Sequence, residues 1–155
     1  MSEPRQLRRN KKIRVFSDSD GVKADFLKGF EVSYGRAFEQ THIGVAWKFI
    51  RGIPTFYADL PLLDGAERYW NRIKKYKPAI LTGAPSAGFE DAKAAKLCFY
   101  HEKHAHVFAP TPKIIICLSK DKPLHMVNEG DILIDDHQKN GDKWIAAGGN
   151  FIPVS

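Results

Sequence analysis

A short apolar run that ends in two closely spaced acids is the feature that most constrains how this chain can fold. Residues 13–16 read Ile-Arg-Val-Phe, and after one serine the chain continues as Asp18-Ser19-Asp20-Gly21. Side chains two residues apart on an extended chain point the same way, so Asp18 and Asp20 can converge while Ser19 turns aside. Gly21 lets the chain turn sharply out of the strand. Open α/β sheets carry their sites at this carboxyl edge, and the pattern predicts such a sheet.

A second apolar run also ends in acids, at residues 131–136, which read Asp-Ile-Leu-Ile-Asp-Asp. The adjacent carboxylates of Asp135 and Asp136 repel each other unless a cation or a hydrogen-bond donor lies beside them. Either motif alone is also compatible with an ordinary turn, because Asp and Gly are common turn residues. Two such strand ends in one short chain favour a metal site, and carboxylate oxygens suit Mg²⁺.

A third predicted strand, residues 78–82, ends in a hydroxyl and a glycine, Thr82 and Gly83. The hydroxyl and the glycine amide could both donate to a phosphate oxygen, although a plain exit from the strand is the commoner reading. The helical stretch that follows carries three lysines. One of them could neutralise an anionic site, whereas most helical lysines are simply solvated. They are Lys93, Lys96 and Lys103.

Alternation of strands and helices predicts a parallel sheet with right-handed crossovers. Continuous apolar runs such as residues 114–118 are typical of strands buried on both faces. The predicted strands are 13–17, 78–82, 113–118, 131–135 and 150–153. The predicted helices are near 24–38, within 39–51, at 64–76, at 89–104 and at 140–147.

These motifs, taken in chain order, resemble those of the haloacid dehalogenase-like (HAD) hydrolase superfamily: Asp-x-Asp-Gly, then Thr, then Lys, then Asp-Asp. The opening residues 18–26 and the closing residues 144–149 are similar to segments of its 5'(3')-deoxyribonucleotidase family. Residues 60–66 and 96–99 resemble that family more loosely. The resemblance extends over about residues 13–152. It implies a HAD-like Rossmannoid fold, a three-layer α/β/α parallel sheet with a short helical cap inserted after the first strand.

The resemblance also implies roles for individual residues. Asp18 would be the nucleophile and Asp20 the general acid/base. Thr82 and Gly83 would hold the substrate phosphate, and Lys96 would neutralise the anionic cluster.

Further implied roles concern the metal and the substrate. The Mg²⁺ ligands would be Asp18, the backbone carbonyl of Asp20 and Asp135, with Asp136 beside them. Phe26 matches a family residue that packs on the nucleobase. His137 stands where the family usually has Arg, and we take it as a candidate substrate-binding residue.

Three segments are expected in the chain. Residues 1–12 form a basic arm, residues 13–25 and 58–155 form the phosphatase core, and residues 26–57 form a small helical cap. The arm contains Arg5, Arg8, Arg9, Lys11 and Lys12. It could contact nucleic acid, but we favour a solvated tail.

Composition agrees with an anionic substrate, because the 155-residue chain carries a formal net charge of +6. No apolar run approaches the ~20 residues of a membrane span, and no secretory signal opens the sequence. The two cysteines, Cys98 and Cys117, do not suggest a disulfide framework. A cytoplasmic protein that does not contact membranes is therefore expected.

The function expected from these features is Mg²⁺-dependent hydrolysis of a phosphomonoester through an aspartyl-phosphate intermediate. The expected substrate is a small phosphorylated molecule, preferably a nucleoside monophosphate and preferably deoxy. Two alternatives remain open. One is a HAD phosphatase for a sugar phosphate or a nucleic-acid terminal phosphate, and the other is a non-catalytic module that binds a phosphorylated ligand on the same fold.

Overall fold

Five parallel strands form a single sheet in the computed structural model, which describes residue 7 and residues 12–154. The strands lie in the order β3-β2-β1-β4-β5, so the first strand occupies the centre. Their carboxyl ends therefore meet at one edge, where the acids of β1 and β4 come together. The strands are β1 Val15–Ser17, β2 Ala79–Gly83, β3 Ile114–Cys117, β4 Ile132–Asp135 and β5 Asn150–Pro153.

The helices lie close to the predicted segments. Within residues 12–154 the α-helices are α1 Phe26–Tyr34, α2 Ile43–Arg51, α3 Ala66–Ile73, α4 Phe89–Cys98 and α5 Gln138–Ala146. Helices α1, α3 and α4 are shorter than predicted, and α5 begins two residues earlier than predicted. Helix α1 begins where the Asp25 side chain accepts a hydrogen bond from the backbone of Lys28, and it ends at Gly35 in the left-handed region. Short helices occupy Phe38–Gln40, Lys74–Tyr76, Phe99–Lys103 and Ser119–His125.

Successive residues of β2 face opposite layers of the molecule. Ile80 packs in one buried cluster with Trp70 of α3, whereas Leu81 packs in a second cluster with Phe16 and Trp144 of α5. Side chains of a strand alternate between its faces, and both faces here are covered. The result is the three-layer α/β/α arrangement, which confirms the predicted fold class.

The cap is inserted between two paired stretches of chain. The backbone N–H of Asp25 donates to the carbonyl of Pro61 at 2.9 Å, and the N–H of Leu63 donates to the carbonyl of Lys23 at 2.8 Å. The chain therefore leaves the core and returns to it at almost the same place. Helices α1 and α2 lie within this insertion, as predicted for a short helical cap.

Two further predictions concern the arm and the membrane. The arm expected over residues 1–12 lies outside the described residues, apart from Leu7 and Lys12. Among the described residues, no helix combines the length and the apolar character that crossing a membrane requires.

Candidate active site

The turn after β1 fixes the first two acids at the carboxyl edge of the sheet. The backbone N–H of Asp18 donates to the carbonyl of Ile134 in β4 at 2.9 Å, which extends the sheet pairing by one residue. The carbonyl of Ser19 then accepts hydrogen bonds from the N–H groups of the residues three, four and five positions ahead. This tight turn holds Asp18 against β4 and directs Asp20 toward α4.

A buried lysine joins the acids of β1 and β4. The Nζ atom of Lys122 lies 3.0 Å from Oδ1 of Asp18 and 2.8 Å from Oδ2 of Asp135. Asp135 also accepts hydrogen bonds from the backbone of His137 and the side chain of Asn140. One ammonium thus joins two buried carboxylates, and two neutral donors also bind Asp135.

These contacts set the pKa values of the three groups. Burial raises the pKa of Asp18 to about 6, and the charge of Lys122 only partly opposes this effect. Burial also acts against ionisation of Asp135, but Lys122 and the hydrogen bonds outweigh it and lower its pKa. Burial alone would lower the pKa of Lys122, yet the two carboxylates raise it to about 12. Lys122 is therefore a permanent cation between two acids of different strength.

Asp136 lies against Gly21, in the turn that follows β1, and is close to Asp18 and Asp135. The residue as a whole is exposed, but one carboxylate oxygen would lie 1.9 Å from a Cβ placed on Gly21. Loss of hydration around this carboxylate, together with the charge of Asp18, raises the pKa of Asp136 to about 7. Gly21 has a φ of +78°, so its lack of a side chain serves both the turn and the approach of Asp136.

Three carboxylates have the spacing of a cation site. Oxygen atoms of Asp18, Asp135 and Asp136 all lie within 4.8 Å of one another. The donors are all carboxylate oxygens, which fits Mg²⁺. Burial first, and then the charges of the neighbouring acids, raise the pKa values of Asp18 and Asp136. The side chain of Asp20 is not part of this group.

Asp20 instead pairs with the lysine of α4. The Nζ atom of Lys96 lies 2.8 Å from Oδ2 of Asp20 and 2.8 Å from Oγ1 of Thr82. It also lies 4.7 Å from the ring centroid of Tyr57, a residue of the cap. Lys96 was expected to neutralise the anionic cluster; its ion pair is with Asp20, whereas Lys122 pairs with Asp18. The other lysines of this region are exposed, and Lys103 pairs with Asp59 at 3.5 Å.

Two other predicted substrate-binding residues, Gly83 and His137, also lie at the carboxyl edge of the sheet. Gly83 ends β2 and approaches Ser119 so closely that an added Cβ would lie 2.1 Å from its hydroxyl. His137 is exposed, and its backbone N–H, which binds Asp135, provides its contact with the acid group.

Phe26 lies in an aromatic cluster of the cap and is half-buried. Its ring centroid lies 5.3 Å from Phe38, 5.8 Å from Trp47, 5.7 Å from Phe56 and 6.4 Å from Tyr57. The predicted base-packing residue therefore also has a structural role in the small core of the cap.

Sequence reasoning did not identify Lys122 or Lys23 as site residues. Lys122 belongs to the short helix after β3, and the signal that could have revealed it was a lysine-rich segment directly after a buried strand. Lys23 is fully buried, and its Nζ atom donates to the hydroxyl of Ser17 and to the backbone carbonyl of Asp18. Burial lowers the pKa of Lys23 to about 7, although the charge of Asp18 acts in the opposite direction.

Comparison with known proteins supports the fold. No protein-family model and no curated protein matches the chain. Among solved structures, the chain is similar to one described as a crystal structure analysis of a dehalogenase, with a TM-score of 0.53 and 13% sequence identity. The match covers 96% of this chain and 87% of that chain. At this identity the likeness concerns the fold alone, and it agrees with the three-layer α/β/α class.

Proposed function

We propose that the chain is a Mg²⁺-dependent phosphomonoesterase in which Asp18 forms an aspartyl phosphate. The observation that carries the proposal is the convergence of Asp18, Lys122 and Asp135 at the carboxyl edge of the sheet. A carboxylate held beside an ammonium can attack an anionic phosphate that it would otherwise repel. Thr82, near the end of the neighbouring strand β2, and Lys96 of α4, which bonds to it, supply further donors for phosphate oxygens.

The reaction uses the two acids of the turn in sequence. An oxygen of Asp18 forms a bond to phosphorus, the bond from phosphorus to the leaving oxygen breaks, and Asp20 gives that oxygen a proton. Asp20 then takes a proton from water, whose oxygen attacks the aspartyl phosphate and releases inorganic phosphate and free Asp18. The substrate phosphate competes with Asp20 for the ammonium of Lys96.

Asp18, Asp135 and Asp136 are the side chains that would hold Mg²⁺, together with the backbone carbonyl of Asp20. When bound, the ion supplies positive charge that offsets the repulsion between these acids and the phosphate. The position of Lys122 between Asp18 and Asp135 orients their carboxylates, and the hydrogen bonds to Asp135 fix that side chain further.

The cap supports the proposed substrate class. Aromatic rings around Phe26 offer apolar faces of the kind that a planar base requires. The ring of Tyr57 belongs to the same cluster and also lies beside Lys96, so it links the aromatic surface to the phosphate site. A nucleoside monophosphate, preferably deoxy, places its base and its phosphate on these two surfaces.

Hydrolysis of p-nitrophenyl phosphate, measured with Mg²⁺ and with excess EDTA, tests the chemistry. We expect activity with Mg²⁺, none in EDTA, and none in Asp18→Asn, which cannot attack phosphorus. The exposed Asp64→Asn is the matched control and should keep full activity. Full activity in EDTA or in Asp18→Asn would overturn the proposed mechanism.

A substrate panel then tests specificity. It compares deoxynucleoside monophosphates, ribonucleoside monophosphates, sugar phosphates and a 5'-phosphorylated oligonucleotide by release of inorganic phosphate. It also measures chloride release from 2-chloropropionate, because the similar structure is that of a dehalogenase. The highest kcat/KM is expected for a deoxynucleoside monophosphate, and chloride release without phosphate release would replace the proposal with dehalogenation.

A further inference from the structure

A large cavity opens at the edge of the sheet opposite the acids. Its volume is about 1100 Å³, and its walls include the amino ends of β1, β2 and β3 together with the end of α3. Strands of a parallel sheet all start at one edge and end at the other. This cavity, which we call the basic groove, is therefore separate from the site built around Asp18.

Cationic side chains line the basic groove. They are Lys12, Arg14, Lys74, Lys75, Lys77 and Lys113. Among the described residues, no carboxylate lines the groove, and no ion pair joins these cations to an acid. The nearby Asp131 is buried and accepts hydrogen bonds from three backbone N–H groups, so it does not direct its charge into the groove. The groove thus concentrates positive potential and attracts polyanions.

An exposed aromatic ring lies among these cations. Tyr76 is 59% exposed, and the Nζ atom of Lys75 lies 5.2 Å from its ring centroid. Leu124, on another wall, is 61% exposed. An ammonium beside an open aromatic face matches a nucleotide unit, because the cation meets the phosphate and the ring stacks on the base.

From this combination we infer that the basic groove binds single-stranded nucleic acid. Lysines and Arg14 contact successive phosphates, and Tyr76 stacks on an unpaired base. A single strand fits better than a duplex, because the bases of a duplex are stacked within it and cannot reach Tyr76. The inference concerns a surface other than the acid site, so it stands independently of the proposed phosphatase activity.

Fluorescence anisotropy of a labelled twelve-nucleotide single strand without terminal phosphates measures this binding on the full chain. We expect a Kd between about 1 and 100 µM, in the range of sequence-independent binding. With three phosphates contacted, affinity should fall roughly 20-fold between 50 and 200 mM NaCl. Asp18→Asn should bind with an unchanged Kd, which separates this surface from the acid site.

Two triple variants locate the binding surface at equal net charge. Lys74→Glu/Lys75→Glu/Lys113→Glu should lose at least about tenfold in affinity, whereas Lys28→Glu/Lys48→Glu/Lys93→Glu should lose far less. All six side chains are exposed, and circular dichroism checks that both variants fold. Equal losses in the two variants would mean attraction by net charge alone and would overturn the inference.

Tyr76→Ala and Tyr76→Phe test stacking. The alanine variant should bind at least about fivefold more weakly, and the phenylalanine variant should bind like the parent, because stacking needs the ring and not the hydroxyl. A matched duplex should bind more weakly than the single strand. Tighter duplex binding, or no measurable binding of the single strand at 50 mM NaCl, would overturn the inference.

Discussion

The Nζ atom of Lys122 lies 3.0 Å from Oδ1 of Asp18, and the two side chains are only 2% and 9% exposed. Lys122 also pairs with Asp135, so a single ammonium balances two buried carboxylates. Removing one member of a buried ion pair leaves a charge that neither water nor protein neutralises. The stability of this edge of the sheet and its chemistry therefore depend on the same side chain.

We predict that Lys122→Met lowers both stability and activity. The free energy of unfolding should fall by about 3–5 kcal/mol, because the variant leaves buried carboxylates without their cation. Urea denaturation measures this loss, and kcat/KM for p-nitrophenyl phosphate should fall at least ~100-fold. The exposed Lys120→Met, in the same short helix, should leave both quantities unchanged. Normal activity in a folded Lys122→Met protein would contradict the role assigned to this lysine.

A second prediction separates the lysines of α4. Lys96→Met should lower kcat/KM at least ~100-fold. Lys96 pairs with Asp20 and bonds to Thr82, whose hydroxyl is a proposed donor to the substrate phosphate. The exposed Lys93→Met, one helical turn earlier, should be nearly neutral. Steady-state kinetics on one phosphomonoester compares the two variants. A larger loss in Lys93→Met would mean that Lys96 serves the fold alone.

The third prediction concerns the cap. Phe26→Ala should raise KM for a nucleotide roughly tenfold or more, while KM for p-nitrophenyl phosphate changes little, because only the nucleotide has a base to stack. Phe26 also packs in the aromatic cluster, so the variant should lower Tm. Phe26→Leu restores apolar volume without an aromatic face and serves as the control. Equal changes in KM for both substrates would assign Phe26 to packing only.

The fourth prediction concerns the glycine of the first turn. Gly21→Ala places a methyl group against the carboxylate of Asp136 and also strains a backbone with φ of +78°. Gly65→Ala imposes similar strain at φ of +82°, but nothing lies within 4 Å of its added carbon. Both variants should lose about 1–2 kcal/mol of stability from the strained backbone.

Only Gly21→Ala should also weaken the response to Mg²⁺, because only there must a proposed metal ligand move. In Gly21→Ala, the MgCl₂ concentration that gives half-maximal activity should rise roughly tenfold. Titration of activity with MgCl₂ measures it for both variants. An equal response in the two proteins would show that the position of Asp136 does not matter for the metal.

The sheet was predictable because each strand is an apolar run with clear ends. The predicted last strand, 150–153, coincides with β5, and the predicted strand 131–135 differs from β4 by one residue. The acids follow these strands directly in sequence, so a parallel sheet is sufficient to bring Asp18 and Asp135 to one edge. Their proximity also depends on β1 and β4 being neighbours in the sheet, which strand patterns alone do not specify.

The lysines were not predictable in the same way. A lysine is long and is usually solvated, so sequence alone does not distinguish a buried ammonium from an exposed one. Lys122 lies in a short helix without apolar periodicity, and Lys120 nearby is exposed. The partners of Lys96 and Lys122 depend on side-chain directions across several elements, which motif order does not specify.

The central position of β1 has a consequence for the order of events during synthesis. Val15 pairs with Ile132, and the contact beside them, from Arg14 to Asp131, joins residues 117 positions apart. At about 5–20 residues per second, a ribosome that has just made β1 needs roughly 6 to 23 seconds to reach β4. For most of that interval neither Lys122 nor Asp135 has been made, and the side of β1 that pairs with β4 has no neighbouring strand. A nascent chain thus completes the group of Asp18, Lys122 and Asp135 only in a late step, when β4 docks against a strand made long before it.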